Sequence, residues 1–173
     1  MKPISIAIVA ASLAALAIAE PGLVAQRGPV DTGPGTLAAA RKYLEGRWRL
    51  LSFEVTPEGK EPIRVLGAGT LIYDGFGNLT VEIRVDRATA AMLEANGIQT
   101  DKGVLSTRGR TAVDLQSRTL TYTLEGQAPL GAPSGPLALN RPRHWQVEGN
   151  VLTVTTKNDQ GQNVSVGKWE KAP

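Results

Sequence analysis

The chain has no cysteine among its 173 residues. Disulfides, a thiol nucleophile, cysteine-ligated zinc and a lipid on a processed N-terminal cysteine are therefore excluded. His144 is the one histidine, and no carboxylates stand at a spacing that would complete a metal site around it, so no metal is expected. Aromatics are scarce, with three tryptophans, three tyrosines and two phenylalanines. Neither charge sign dominates. Nineteen Lys and Arg against sixteen Asp and Glu leave +3, spread along the chain apart from short clusters such as "RKYLEGRWR" and "NRPRH". That pattern reads as a solvated surface and gives no reason to expect a nucleic-acid partner. Beyond the first residues no apolar run is long enough to span a membrane. What remains is ordinary, at 42% hydrophobic and 20% charged, which suits one folded domain with a core.

The N-terminus reads as an address. "MKPISIAIVAASLAALAIA" has Lys2, an apolar stretch from Ile4 to Ala19 and small residues at its end, the pattern of a secretory signal. Cleavage can follow "AIA" before Glu20 or "LVA" before Gln26. An uncleaved anchor is the alternative, but the apolar stretch is short for the roughly 20 residues of a spanning helix. We expect a signal over residues 1–25, a Gly/Pro linker over 26–35 and a folded domain over 36–173. The mature protein is expected in the periplasm or outside the cell, with no membrane span after cleavage, as a monomer.

Within the domain, Thr36 and Gly46 bracket a short helix, Leu37 to Leu44. "RWRLLSFEVT" then alternates, which predicts Trp48, Leu50 and Ser52 on one face and Leu51, Phe53 and Val55 on the other. "EPIRVL" is a weak strand with a proline at its edge. "GTLIYD" and "NLTVEIRVD" flank a "GFG" hairpin. Next comes one helix, with Asp86 as its cap and Gly97 as its stop. "VLSTRGRTAVDL" and "RTLTYTLEG" meet at "QSR". A Gly/Pro-rich loop spans Gln127 to Leu139. "RHWQVEGNVLTVTTKNDQGQNVSVGKWEK" supplies three more strands, turned at "EGN" and "NDQGQ". Strands in sequence, joined by tight turns, predict an all-β fold: an up-and-down antiparallel β-barrel of about eight strands, with a short N-terminal helix and one inserted helix. A barrel of that size is filled by side chains or holds one small ligand.

Three segments in order resemble the bacterial lipocalin-like domain, a member of the wider calycin group. "LEGRWRLLSFEV" is similar to its opening strand, "GTLIYDGFGNLTVEI" to its Gly-x-Leu-x-Tyr strand and hairpin, and "HWQVEGNVLTVTTKNDQGQNVSVGKWEK" to its closing strands. The resemblance covers Leu44 to Lys171. It implies that Gly46 and Trp48 plug one end of the barrel and that the preceding helix is a lid. It also implies a cation from Lys168, Lys171 or Arg143 over the indole. Where that group often has a histidine, in "LTYTLEG", this chain has Tyr122, which puts any chemistry resting on the histidine in doubt.

Sequence signals for catalysis are absent. No Gly-x-Ser-x-Gly elbow, dinucleotide fingerprint or phosphate loop occurs, and no catalytic residue or cofactor is assigned. Tyr73, Glu82, Arg84, Arg110, Tyr122 and Arg143 fall within strands, and those that face inward become the polar handles of an apolar pocket. Tyr73, Tyr122, Arg84, Arg110 and Glu82 are the ligand-binding candidates. The leading expectation is a barrel that binds a small hydrophobic or amphipathic molecule, with the inserted helix and the long loop at its open end. One alternative is a cofactor-free isomerase or cyclase using Tyr73, Tyr122 and Glu82 as acid and base. Another is an envelope module with a closed core that acts through its rim.

Overall fold

The computed structural model describes residues 36–123, 137–139 and 141–173. The expected signal, the linker and most of the Gln127–Leu139 loop lie outside the described residues. The elements are α1 (Leu37–Leu44), β1 (Gly46–Val55), β2 (Ile63–Val65), β3 (Gly67–Tyr73), β4 (Asn78–Val85), α2 (Arg87–Ala95), β5 (Val104–Asp114), β6 (Thr119–Thr123), β7 (Arg143–Glu148), β8 (Val151–Lys157) and β9 (Asn163–Lys171). All strand pairs are antiparallel. The sheet runs β2-β1-β3-β4-β5-β6-β7-β8-β9, and β1 also pairs with β9. That last ladder closes an eight-strand barrel of β1 and β3 to β9, with β2 as an extra strand on β1. The expected fold class holds, and closure removes the exposed edges that an open sheet presents.

Local chemistry sets the corners. Thr36 Oγ1 accepts from the Ala39 amide at 3.2 Å to start α1, and Ala40 and Leu44 form its buried face. The helix stops at Gly46, whose φ of +132° suits only glycine and whose missing Cβ leaves room for Lys171. In the β3–β4 turn, Asp74 Oδ1 accepts from the amides of Phe76 and Asn78 at 2.9 and 2.8 Å. Its carboxyl is held below the usual range chiefly by the Asn78 side chain. The Asp86 carboxylate accepts from the Thr89 amide at 2.7 Å to start α2, and Gly97, at a φ of +77°, ends it. Arg84 still pairs with Val104 across this insertion, so α2 belongs to the rim and leaves the wall intact. Its Leu93 is completely buried. Among the described residues, no helix is long and apolar enough to cross a membrane.

Strand β1 departs from strict alternation. Its register with β9 runs Leu50↔Trp169 and then Ser52↔Lys168, so Leu51 is the extra residue of a bulge. The bulge flips the pleat. Trp48 and Leu50 face inward before it, Phe53 and Val55 face inward after it, and Leu51 is left 47% exposed. The two faces expected from alternation are therefore spliced into one. The other edge of β1 shows the same break, with residues up to Arg49 pairing with β3 and residues from Phe53 pairing with β2.

Candidate functional site

The barrel interior is built by the period-two pleat. Leu71 and Tyr73 on β3, Leu79, Val81 and Ile83 on β4, and Leu105 and Thr107 on β5 face inward. Leu152, Val154 and Thr156 on β8 meet Trp169, Gly167 and Ser165 on β9 across the ladder. These residues, with Leu44, Phe53, Leu120, Tyr122, Leu137 and Arg143, line a predominantly apolar cavity of about 90 Å³. That is room for a few waters and less than the roughly 300–1,000 Å³ that encloses a drug-sized molecule. Gly167 helps to keep the space open. A Cβ there would sit 2.8 Å from Trp169 Nε1 and 3.2 Å from Phe53.

One end carries the plug. Trp48 is 1% exposed, and its Nε1 donates to the Leu44 carbonyl of α1 at 2.9 Å. Lys171 Nζ lies 5.2 Å from the indole centroid, within cation–π range. Of the three cations the sequence left open, the β1–β9 register selects Lys171, because Trp48 pairs directly with it. Lys168 sits beside the bulge, opposite Ser52.

Arg143 goes elsewhere. It is the first residue of β7, pairs with Leu120 and Thr156, and is only 8% exposed. Its guanidinium carbon lies 4.3 Å from the Tyr122 ring centroid. Nη1 donates to the carbonyls of Arg141 at 2.8 Å and Leu139 at 3.4 Å. Nη2 donates to those of Leu137 at 3.0 Å and Ala138 at 3.1 Å. Burial holds the guanidinium below its ordinary pKa, partly offset by Tyr122. Burial likewise pushes the Tyr122 phenol up to about 12, against a smaller opposing pull from Arg143. Tyr122 keeps some surface open to the cavity, but protein surrounds it closely enough for desolvation to dominate.

Three of the six polar strand residues therefore face inward: Tyr73, Tyr122 and Arg143. The Tyr73 hydroxyl and Thr107 Oγ1, both on cavity-lining or inward positions, are buried without a hydrogen-bond partner among the described residues. Glu82, Arg84 and Arg110 are exposed on the outer face and do not line the barrel cavity, which corrects their expected inward place; Glu82 and Arg84 instead border a separate outer cleft with Arg49, Leu50 and Gly67. Val81 and Ile83 point in, so Glu82 and Arg84 point out. They pair with each other there at 2.8 Å. Arg110 follows the inward Gly109 in the same way, with its partner on β4 being Asn78. The sequence reading missed Thr107 and the Ser165–Thr156 hydroxyl pair, bonded at 2.9 Å. Alternation from Trp169 back through Gly167 to Ser165 was the available signal. His144, next to the inward Arg143, points away from the cavity. Among the described residues, no group of three or more potential metal ligands gathers.

No protein-family model matches the chain, and no curated protein matches it in sequence. One solved structure found similar is a crystal structure of a mutant of the fluorescent protein UnaG. It is 12% identical and covers 76% of this chain and 98% of that one, with a TM-score of 0.28. A score that low does not superpose two folds, so the barrel assignment rests on this chain's own strand pairing.

Proposed function

We propose that the protein is an exported, lipocalin-like barrel that takes up a small apolar or amphipathic molecule in its interior. The carrying observation is the cavity: a wall mainly of Leu, Val, Ile, Phe and Trp whose polar side chains among the described residues are Tyr73, Ser106, Thr107, Tyr122, Arg143 and the Thr156–Ser165 pair. Binding would come from apolar burial, about 0.8 kcal/mol per CH₂, with a hydrogen bond or two fixing orientation. The Tyr73 and Thr107 hydroxyls, without a partner among the described residues, support this, because a buried polar atom without a partner costs about 1–3 kcal/mol that a ligand can recover. Membership in the bacterial lipocalin-like group is supported by the three sequence landmarks and by the Trp48–Lys171 plug beneath α1. Export to the periplasm or beyond is supported by the leader-like N-terminus, and the monomeric state is part of the same reading. The isomerase reading loses its carboxylate, since Glu82 sits outside the barrel.

The test is native mass spectrometry of the protein purified from a bacterial periplasm, beside the denatured sample. The expected result is an added mass that is lost on denaturation. A clean mass, unchanged after incubation with fatty acids, retinoids and quinones, overturns the reading.

A further inference from the structure

We infer that the outer face of β1, β3, β4 and β5 docks on the anionic surface of a lipid bilayer, with arginines on the phosphates and Phe76 inserted below them. This does not depend on what the cavity holds.

Charge that is scattered in the sequence is gathered by the register. The pleat that turns Leu71, Val81, Ile83 and Thr107 inward turns their neighbours out. One row across the sheet reads Arg47, Ile72, Thr80 and Arg108, and the next reads Arg49, Thr70, Glu82 and Ser106. Arg110, opposite Asn78, and Arg84, opposite Ala68, continue the face on either side. These arginines stand exposed on three strands. With neighbouring strands about 4.8 Å apart, Arg47 and Arg108 are roughly 14 Å from each other.

Carboxylates do not cancel this charge. Glu82 pairs with Arg84, and Glu170, on the bordering β9, pairs with Arg49. Asp74 turns its carboxylate onto the amides of Phe76 and Asn78. Glu54 lies beyond the bulge, opposite Arg64. Arg47 and Arg108 therefore have no carboxylate partner among the described residues. The wall of β7, β8 and β9 differs. Its outward Lys157 and Lys168 are balanced by Glu148 and Glu170.

Apolar side chains are interleaved with the arginines. Ile72, between Arg47 and Thr80, is 37% exposed, and Phe76, at the tip of the β3–β4 hairpin, is 84% exposed. Leu51 on the β1 bulge and Leu66 just before β3 are exposed on the same wall. Four of the seven exposed large hydrophobic side chains among the described residues thus share the arginine face. One exposed apolar residue is ordinary, but several grouped with cations mark an interaction surface. A bilayer surface answers both kinds of residue, with phosphates for the guanidinium groups and an apolar boundary beneath for Phe76 and Ile72. A nucleic acid or acidic polysaccharide would use the arginines and leave the apolar side chains in water.

The test uses the protein purified from a bacterial periplasm and two vesicles, phosphatidylcholine alone and phosphatidylcholine mixed in equal parts with phosphatidylglycerol. Co-sedimentation measures binding. Binding is expected on the mixed vesicles, about ten-fold weaker or less on phosphatidylcholine, and falling with added salt. Arg47→Gln with Arg108→Gln is expected to weaken it roughly thirty-fold, about five-fold for each arginine. Phe76→Ser is expected to weaken it about ten-fold. Lys60→Gln with Lys157→Gln removes the same charge outside this face and is expected to change it less than about two-fold. All five side chains are exposed, so the variants are expected to fold as the wild type does. No binding to the mixed vesicles overturns the inference and leaves the carrier reading standing. Equal binding to both vesicles, or an equal loss in the lysine pair, assigns the binding to another apolar segment or to net charge and overturns it. Arginine-dependent binding that Phe76→Ser leaves unchanged makes the face a general polyanion site and overturns the bilayer as its occupant.

Discussion

Replacing Trp48 with phenylalanine tests whether the plug holds the barrel end together as the geometry says. The substitution removes the donor to the Leu44 carbonyl, a bond of 2.9 Å between two residues that are each 1% exposed. An unsatisfied buried carbonyl costs about 1–3 kcal/mol. The smaller ring also gives up part of the buried indole, which adds roughly 1–2 kcal/mol. The expected loss is therefore about 2–5 kcal/mol, which for a domain of this size lowers Tm by about 3–4 °C per kcal/mol. Lys171→Met removes the cation, 5.2 Å from the ring centroid, and its exposed 3.4 Å bond to the Tyr43 carbonyl, and should cost no more than about 1 kcal/mol. Urea unfolding followed by far-ultraviolet circular dichroism measures both, since removing a tryptophan compromises fluorescence as a probe. The double variant gives the coupling, expected at about 0.5–1 kcal/mol. A Trp48→Phe variant within about 0.5 kcal/mol of wild type would refute the reasoning. So would a Lys171→Met variant that loses as much as Trp48→Phe, since the end would then be held by charge and not by the indole.

Other outcomes follow from single geometric features. Gly67→Ala puts a Cβ 2.0 Å from the Arg84 carbonyl oxygen; backbone cannot yield as a side-chain tip does, so a loss of at least about 3 kcal/mol is expected in the same urea assay. The bulge predicts that Leu51→Lys is neutral to within about 0.5 kcal/mol, while Phe53→Ala two positions on costs about 2 kcal/mol or more; a costly Leu51→Lys would mean that β1 alternates without a bulge. Burial favours the neutral phenol of Tyr122, raising its pKa from 10.0 to about 12. The stabilisation is thus complete below about pH 10 and is lost as pH rises towards 12, at up to about 1.4 kcal/mol per pH unit. Ultraviolet titration of tyrosinate should show a phase near pH 12 that disappears in Tyr122→Phe, and its persistence in that variant would assign it to another tyrosine.

Much of this protein is written in local chemistry, and that part could be read without coordinates. Thr36, Asp86 and Asp74 cap or turn the chain through bonds to amides two to four residues away. Gly46 and Gly97 stop helices through backbone angles that other residues resist. Such signals depend on near neighbours, so the sequence alone determined the strand and helix order and, through it, a barrel. Alternation also contained the outward position of Glu82 and Arg84, once Val81 and Ile83 are set inward. Tertiary structure decided the rest. Nothing local marks Leu51 as the residue to be squeezed out; the β1–β9 ladder makes the bulge, and the bulge places Phe53 with Trp48 inside. Likewise, Lys168, Lys171 and Arg143 were equal candidates for the Trp48 ring until the register chose Lys171. Arg143 meets Tyr122 only because β6 and β7 pair across a long connection, with Leu120 opposite Arg143. Turns and caps are set by short-range bonds, whereas a partner across the barrel is set by register, and register is a property of the closed sheet as a whole.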